Sequence, residues 1–215
     1  MRVNISKVYC TLINLQKRNY KPDIIFDIGA HKGDWTRECM SVYSDSYYFL
    51  FEPIEYNEIK IFNLAYNAKV EHMLLYDKEC EVDWYEEQNS GDSIYRENTR
   101  HFMNTIPIKK NTITLNNYIH TNNIDIHHKK ILIKIDCQGS EIPILQGASI
   151  LHNTTDFMIL EMPFFGEYNK GVPTFLEHIQ YMDSIGFIPF DIIEPHYVNG
   201  FTMQVDIIFI TPFFI

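Results

Sequence analysis

The stretch "IIFDIGAHKGDWT" sets an aspartate, Asp27, and two glycines, Gly29 and Gly33, between an apolar run and a helix-like segment. A strand, a tight glycine turn and a helix present backbone N–H groups and a helix N-terminus at a sheet's C-terminal edge, where open α/β sheets bind ligands. The turn carries fewer glycines than the G-x-G-x-x-G of a dinucleotide site, and the chain holds no G-x-x-x-x-G-K-[ST] phosphate loop. Asp27 would repel a diphosphate and suits a cationic or hydroxyl-bearing ligand. Glu52, closing "YFLFEP", can accept hydrogen bonds from the two hydroxyls of a ribose. Asp77, in "MLLYDKE", follows at the next strand end, within reach of an adenine amino group. Three acids ending successive strands beside a glycine turn describe a site for a nucleoside with a positive reactive group, and the sulfonium S-adenosylmethionine is such a ligand.

The elements that must position these acids are short apolar runs alternating with helix-like stretches. The runs are Ile24–Ile28, Tyr47–Phe51, residues 70–76, Ile131–Ile135, and residues 157–160, 187–191 and 205–210. Runs with so little polar alternation suit a sheet covered on both faces, and the rhythm predicts a doubly wound α/β fold. Helical patterning falls on residues 34–44, 56–66, Glu141–Gln146 and 174–185. Residues 81–112, with the polar "EEQNSGDSIYRENTR", read as a loop insertion over the strand-end face. Residues 1–22 read as a helical segment packed on the edge of one domain spanning 23–215.

The 215 residues carry a net charge of −10, and their 18 Lys and Arg form no basic stripe, which argues against a nucleic-acid partner. No 18-residue apolar run occurs, so membrane insertion is not expected. Four widely separated cysteines suggest neither a zinc knuckle nor a disulfide framework and suit a reducing cytoplasm.

A second motif, "ILIKIDCQGSEIPILQGA", runs through a buried strand to Asp136, turns at Gln138-Gly139 and starts a helix at Ser140-Glu141. It resembles the K-I-D-x-x-G-x-E-x-x-x-L-x-G-A signature of FkbM-type methyltransferases, and with "FDIGAHKGDWT" and "FEP" it matches that family's three main motifs in order over residues 23–161. The resemblance implies a class I methyltransferase fold, Rossmann-like, with a seven-stranded, mostly parallel sheet and helices on both faces. It also implies S-adenosylmethionine as cofactor and O-methylation of a sugar, polysaccharide precursor or related small molecule. Carried onto this chain, Asp27, Gly29 and Gly33 form the turn at the methionine end, with Ala30, His31 and Thr36 counted among its cofactor contacts. Glu52 holds the ribose, Asp77 matches the acid after the third strand, Ser93 in "SGDSIY" resembles a serine turn before an aromatic, and Asp136 faces the methyl group. His31 stands where the family usually has asparagine, and Gln138 where it more often has glutamate.

A sulfonium methyl is transferred by in-line displacement, for which alignment supplies much of the roughly 7–11 kcal/mol available from proximity. A sugar hydroxyl is a poor nucleophile, so a base or a metal should loosen its proton. Asp136, Glu161 at the end of "FMILE" and His196 in "EPHYVNG" are the catalytic candidates. The two acids end neighbouring strands in this fold and could share a proton or a divalent cation. Whether a cation takes part, and whether the chain forms a homo-oligomer, stay open. His127-His128 is discounted as a metal pair, because adjacent residues of an extended segment point opposite ways. "MPFFGEY" reads as core and lid packing or as a sugar-stacking wall. Two rival functions remain: a nicotinamide-dependent oxidoreductase, disfavoured by the missing third glycine, and a non-catalytic cofactor-binding subunit, against which Asp136 and Glu161 speak.

Overall fold

In a computed structural model, which describes residues 6–56, 58–165 and 168–212, α1 (Lys7–Lys17) leads into β1 (Ile24–Ile28), α2 (Asp34–Val42) and β2 (Tyr47–Phe51). A 3₁₀ segment, Ile59–Leu64, precedes β3 (Ala68–Glu71) and β4 (Leu74–Leu75), and then come β5 (Glu81–Trp84), β6 (Ile108–Ile113) and α3 (Leu115–Thr121). The rest comprises β7 (Ile131–Ile135), α4 (Glu141–Gln146), a 3₁₀ turn at Ser149–Leu151, β8 (Thr155–Pro163), α5 (Phe175–Ser184), β9 (Ile188–Val198) and β10 (Phe201–Ile210). Among the described residues the main sheet runs β3-β2-β1-β7-β8-β10-β9, with β10 antiparallel to its neighbours and the other pairings parallel. This is the seven-stranded, mostly parallel sheet that the sequence led us to expect.

Alternation along the strands sorts side chains into two cores, one on each face. Ile24, Phe26, Ile131, Ile133, Met158, Leu160, Val205 and Ile207 pack with Leu115 of α3, Ile144 of α4 and Met182 of α5. Ile25, Leu132, Phe157, Ile159, Ile208 and Ile210 pack with Leu12 of α1, Cys39 of α2 and Phe62. The interleaving has a chemical consequence. Asp27 shares the parity of Ile25, Lys134 that of Leu132, Glu161 that of Ile159, and Gln204 and Asp206 that of Ile208. The C-terminal ends of β1, β7 and β8, with the antiparallel β10 beside them, therefore carry polar side chains in sequence with one face's core.

Several sequence expectations are corrected. Residues 70–76 do not form one strand: β3 ends at Glu71, and β4 joins β5 and β6 in a separate sheet of order β4-β6-β5. The 81–112 insertion is accordingly bounded by strands and is not loop throughout. Among the described residues of the 56–66 stretch, a 3₁₀ segment at Ile59–Leu64 replaces the expected helix, and α3 was not foreseen. β8, β9 and β10 are longer than their apolar runs, so Glu161 and His196 lie within strands and not after them. Phe164 and Phe165 are 52% and 63% exposed, so they are not core; residues 166 and 167 lie outside the described residues. His127 and His128 are exposed on the approach to β7. No described helix is long and apolar enough to cross a membrane.

Candidate active site

β1 and β7 lie side by side where the strand order reverses, the place where an open α/β sheet leaves a crevice. The turns that leave them touch. A Cβ on Gly29 (φ +75°) would sit 1.9 Å from the Asp136 carbonyl oxygen, so this approach requires glycine. Several N–H groups of the first turn are occupied within the protein: Gly29 and Ala30 donate to the Phe51 carbonyl at 2.9 and 3.1 Å, and Gly33 donates to Ala30 at 2.7 Å. His31 N–H donates to the Glu52 carboxylate at 2.8 Å, which also accepts from Ile54 N–H at 3.0 Å. Four amides of the turn are thus used within the protein, and the one on His31 anchors Glu52.

Glu52 is buried, and burial pushes its carboxyl up to about 7 against the pull of the Ile54 and His31 amides. Its ordinary value is 4.5. Between the two values the folded chain holds a proton that the unfolded chain has lost, so stability falls as pH rises through that window. Glu52→Gln cannot ionise and should lack this decline. The melting temperature of Glu52→Gln relative to wild type is expected to climb from about pH 5 to about pH 7 and then level off; a difference that stays flat in paired thermal melts would contradict it.

A cavity of about 740 Å³ opens at this edge, and Gly29, His31, Glu52, Asp136, Glu161 and His196 line it. The other expected site residues do not. Asp27 is fully buried, and one of its oxygens accepts from the Thr36 hydroxyl, so both act behind the cavity wall. Gly33 (φ +78°) begins α2 against the Phe62 ring, and Ala30 is buried beside it. Ser93 donates to the carbonyls of Cys137 and Gln138 at 3.3 and 3.1 Å, tying the insertion to the β7 turn. Asp77 follows β4 in the small sheet, beside Gly147, and is not among the residues that line the cavity; the third strand of the main sheet ended at Glu71. The insertion supplies a cavity wall through Trp84, Asn89, Asp92 and Phe102.

Lys134 went unassigned in the sequence and organises the site. It stands opposite Asp27 in register, with its Nζ 3.3 Å from Asp27, 3.4 Å from Asp136 and 3.0 Å from the Gly29 carbonyl. Burial alone would lower its pKa, but Asp27 and Asp136 outweigh that and raise it. In return, although burial pushes the Asp136 carboxyl up, the Lys134 ammonium holds it below its usual range.

From Asp136 a hydrogen-bonded chain crosses to β8 and β10. The Gln138 amide donates to Asp136 at 3.2 Å and to Glu161, and its oxygen accepts from Gln204 at 3.0 Å. Gln204 also donates to the same Glu161 oxygen at 3.0 Å. Burial first, then Asp136 and Asp206, push the Glu161 carboxyl well up. Register places Asp206 opposite Glu161 and His196 opposite Gln204. The turn that carries Gln138 (φ +52°) is held by Glu141, fully buried, whose carboxylate accepts from Cys137 N–H at 2.9 Å and Gly139 N–H at 3.2 Å. Behind Glu141 lies the buried His178 of α5, 3.6 Å away. Lys134, Gln138 and Glu141 all stood in the quoted motif; Gln204 and Asp206 had no motif to mark them.

The family model described as the methyltransferase FkbM domain matches residues 27–189. No curated protein matches the chain. The FkbM methyltransferase structure from Methylobacillus flagellatus KT aligns with a TM-score of 0.55 at 15% identity, covering 87% of this chain and 43% of that one. The Burkholderia thailandensis 1,6-didemethyltoxoflavin-N1-methyltransferase, solved with 1,6-didemethyltoxoflavin and S-adenosylhomocysteine, aligns at 0.52 and 9% identity over 97% of this chain and 79% of that one. Magnesium protoporphyrin IX methyltransferase from Synechocystis PCC 6803, solved with S-adenosylmethionine, gives 0.51 and 9% over 95% and 76%. These likenesses show a class I methyltransferase fold.

Proposed function

The chain belongs to the FkbM methyltransferase domain family, and from that premise we propose that it moves a methyl group from S-adenosylmethionine to a hydroxyl of a sugar, polysaccharide precursor or related small molecule. The cavity suits such a cofactor: its volume of about 740 Å³ falls within the about 300–1,000 Å³ of small-molecule sites. Glu52 turns a buried carboxylate toward it for the hydroxyls of a ribose, and Phe51, Leu75 and Trp84 give an apolar wall for a base. When bound, the cofactor supplies a methyl group activated on a sulfonium.

The observation that carries the choice of a hydroxyl is the pair of carboxylates, Asp136 and Glu161, joined through Gln138 on the cavity wall. Carboxylates accept hydrogen bonds, and a hydroxyl donates one as it is aligned and relieved of its proton. Asp136, kept ionised by Lys134, orients the hydroxyl, while Glu161 and His196 are the further groups proposed to meet it. Asn89, Asp92 and Gln204 add hydrogen-bonding capacity of the kind a polyol would use.

The test is transfer of label from radiolabelled S-adenosylmethionine into glycan, nucleotide-sugar and lipid fractions, with and without EDTA. Label on a hydroxyl-bearing product is expected. Label that stays on the cofactor in every fraction, or that lands on an amine, would end the sugar O-methylation reading.

A further inference from the structure

Beside the cavity three donor atoms converge: a Glu161 oxygen from β8, Nε2 of His196 from β9 and an Asp206 oxygen from β10, all within 4.8 Å of one another. His196 Nε2 lies 3.7 Å from Glu161 Oε1 and 3.6 Å from Asp206 Oδ1. Hydrogen bonds of this kind span about 2.7–3.2 Å, so the imidazole bonds to neither acid. Its Nε2 is nevertheless buried and makes no hydrogen bond. Around a tetrahedral ion with bonds of about 2.1 Å, neighbouring ligand atoms stand about 3.4 Å apart. The two distances from His196 come close to that spacing and exceed a hydrogen bond.

We infer that Glu161, His196 and Asp206 form a divalent-cation site. The surroundings fit. Gln138 and Gln204 both donate to Glu161 Oε2, which fixes the carboxylate and leaves Oε1 facing His196, the orientation that outer partners give a metal ligand. With an ion bound, the two carboxylates and the imidazole would give up their protons and bring two negative charges into a part-buried place, and the Lys134 ammonium already serves Asp27 and Asp136. A dication balances the remaining pair. One nitrogen and two oxygens suit Mn²⁺, Fe²⁺ or Zn²⁺ better than Mg²⁺ or Ca²⁺, which take oxygen. Three protein ligands leave coordination positions open, the pattern of a catalytic and not a structural ion, and Glu161 and His196 are among the residues that line the cavity. The cation site stands by itself; that it receives the acceptor hydroxyl rests on the function proposed above, and it recasts Glu161 and His196 from proton acceptors to ligands.

The EDTA-stripped, dialysed protein is titrated with Mn²⁺ and the bound ion followed by electron paramagnetic resonance, with Zn²⁺ as competitor. One ion per chain is expected for wild type. Asp206→Asn and His196→Ala should each weaken it at least tenfold, since changes to outer partners alone cost about 10–100-fold. His196 is 40% exposed on its side chain, so its truncation tests the site even if Asp206→Asn folds poorly. S-adenosylhomocysteine affinity is measured on the same samples. A wild-type chain that takes up neither ion, or two variants that bind as tightly as wild type, would overturn the cation site. A chain that holds the ion but binds no S-adenosylhomocysteine would count against the methyltransferase reading alone.

Discussion

Lys134→Met is expected to destabilise the protein by about 3–5 kcal/mol, the cost of leaving a buried charge without its partner. The reason lies in the register of β1 and β7. Asp27 faces Lys134 across the strand pair, is fully buried, and has the Thr36 hydroxyl as its other polar partner. The Asp27 oxygen nearest the ammonium makes no hydrogen bond, so its stabilisation is electrostatic. Methionine fills the space of the lysine stem but supplies no charge, and Asp136 loses its counter-ion at the same stroke. In denaturant titrations the midpoint should fall while the slope stays constant. Adding Asp27→Asn to Lys134→Met removes the orphaned charge and should recover part of the loss. If the double variant is as unstable as the two single changes added together, the pair is not coupled and this account of the strand ends is wrong.

The half of the site built on β1, β2 and β7 was legible because its strands are buried on both faces. Ile24–Ile28, Tyr47–Phe51 and Ile131–Ile135 have bounds that coincide with apolar runs, and the first acid after a run is easy to see. The half built on β8, β9 and β10 was less so. "VNGFT" contains Asn199-Gly200, both at positive φ, the strongest short signal for a hairpin. Read as such, it extends β9 and β10 toward each other and brings His196 across from Gln204; read as a loop after a strand, it leaves His196 alone and Asp206 as one acid inside an apolar run. β9 is also a mostly exposed edge strand, so its alternation lacks the buried run that marks the others. α3 escaped because "LNNYIHT" is poor in helix formers, and its visible cue is Thr114, whose hydroxyl accepts from Asn117 N–H at 3.0 Å as an N-cap. Asp77 was misplaced for a topological reason. A run of apolar residues does not reveal that the chain changes sheets in its middle.

The same geometry separates two roles that a single acid could fill at the cavity wall. Asp136→Asn is expected to lower kcat for methyl transfer by about 10²-fold, the cost of misaligning the hydroxyl that Asp136 orients, with kcat/KM falling in step. The fold should notice little, on the order of 1 kcal/mol, because the asparagine oxygen can still accept from Gln138 and Lys134 keeps Asp27 and the Gly29 carbonyl. S-adenosylhomocysteine should bind within a few-fold of wild type, since the carboxylate proposed for the ribose is Glu52 on a different strand. Single-turnover transfer, titration with the cofactor product and a denaturant midpoint on one preparation distinguish the outcomes. A rise in KM with kcat intact would make Asp136 a substrate contact without a part in the reacting step, and full activity would remove it from the mechanism. Loss of cofactor affinity equal to the loss of rate would return Asp136 to the cofactor side of the cavity, where the close packing of the Gly29 and Asp136 turns would make it a wall of the methionine pocket.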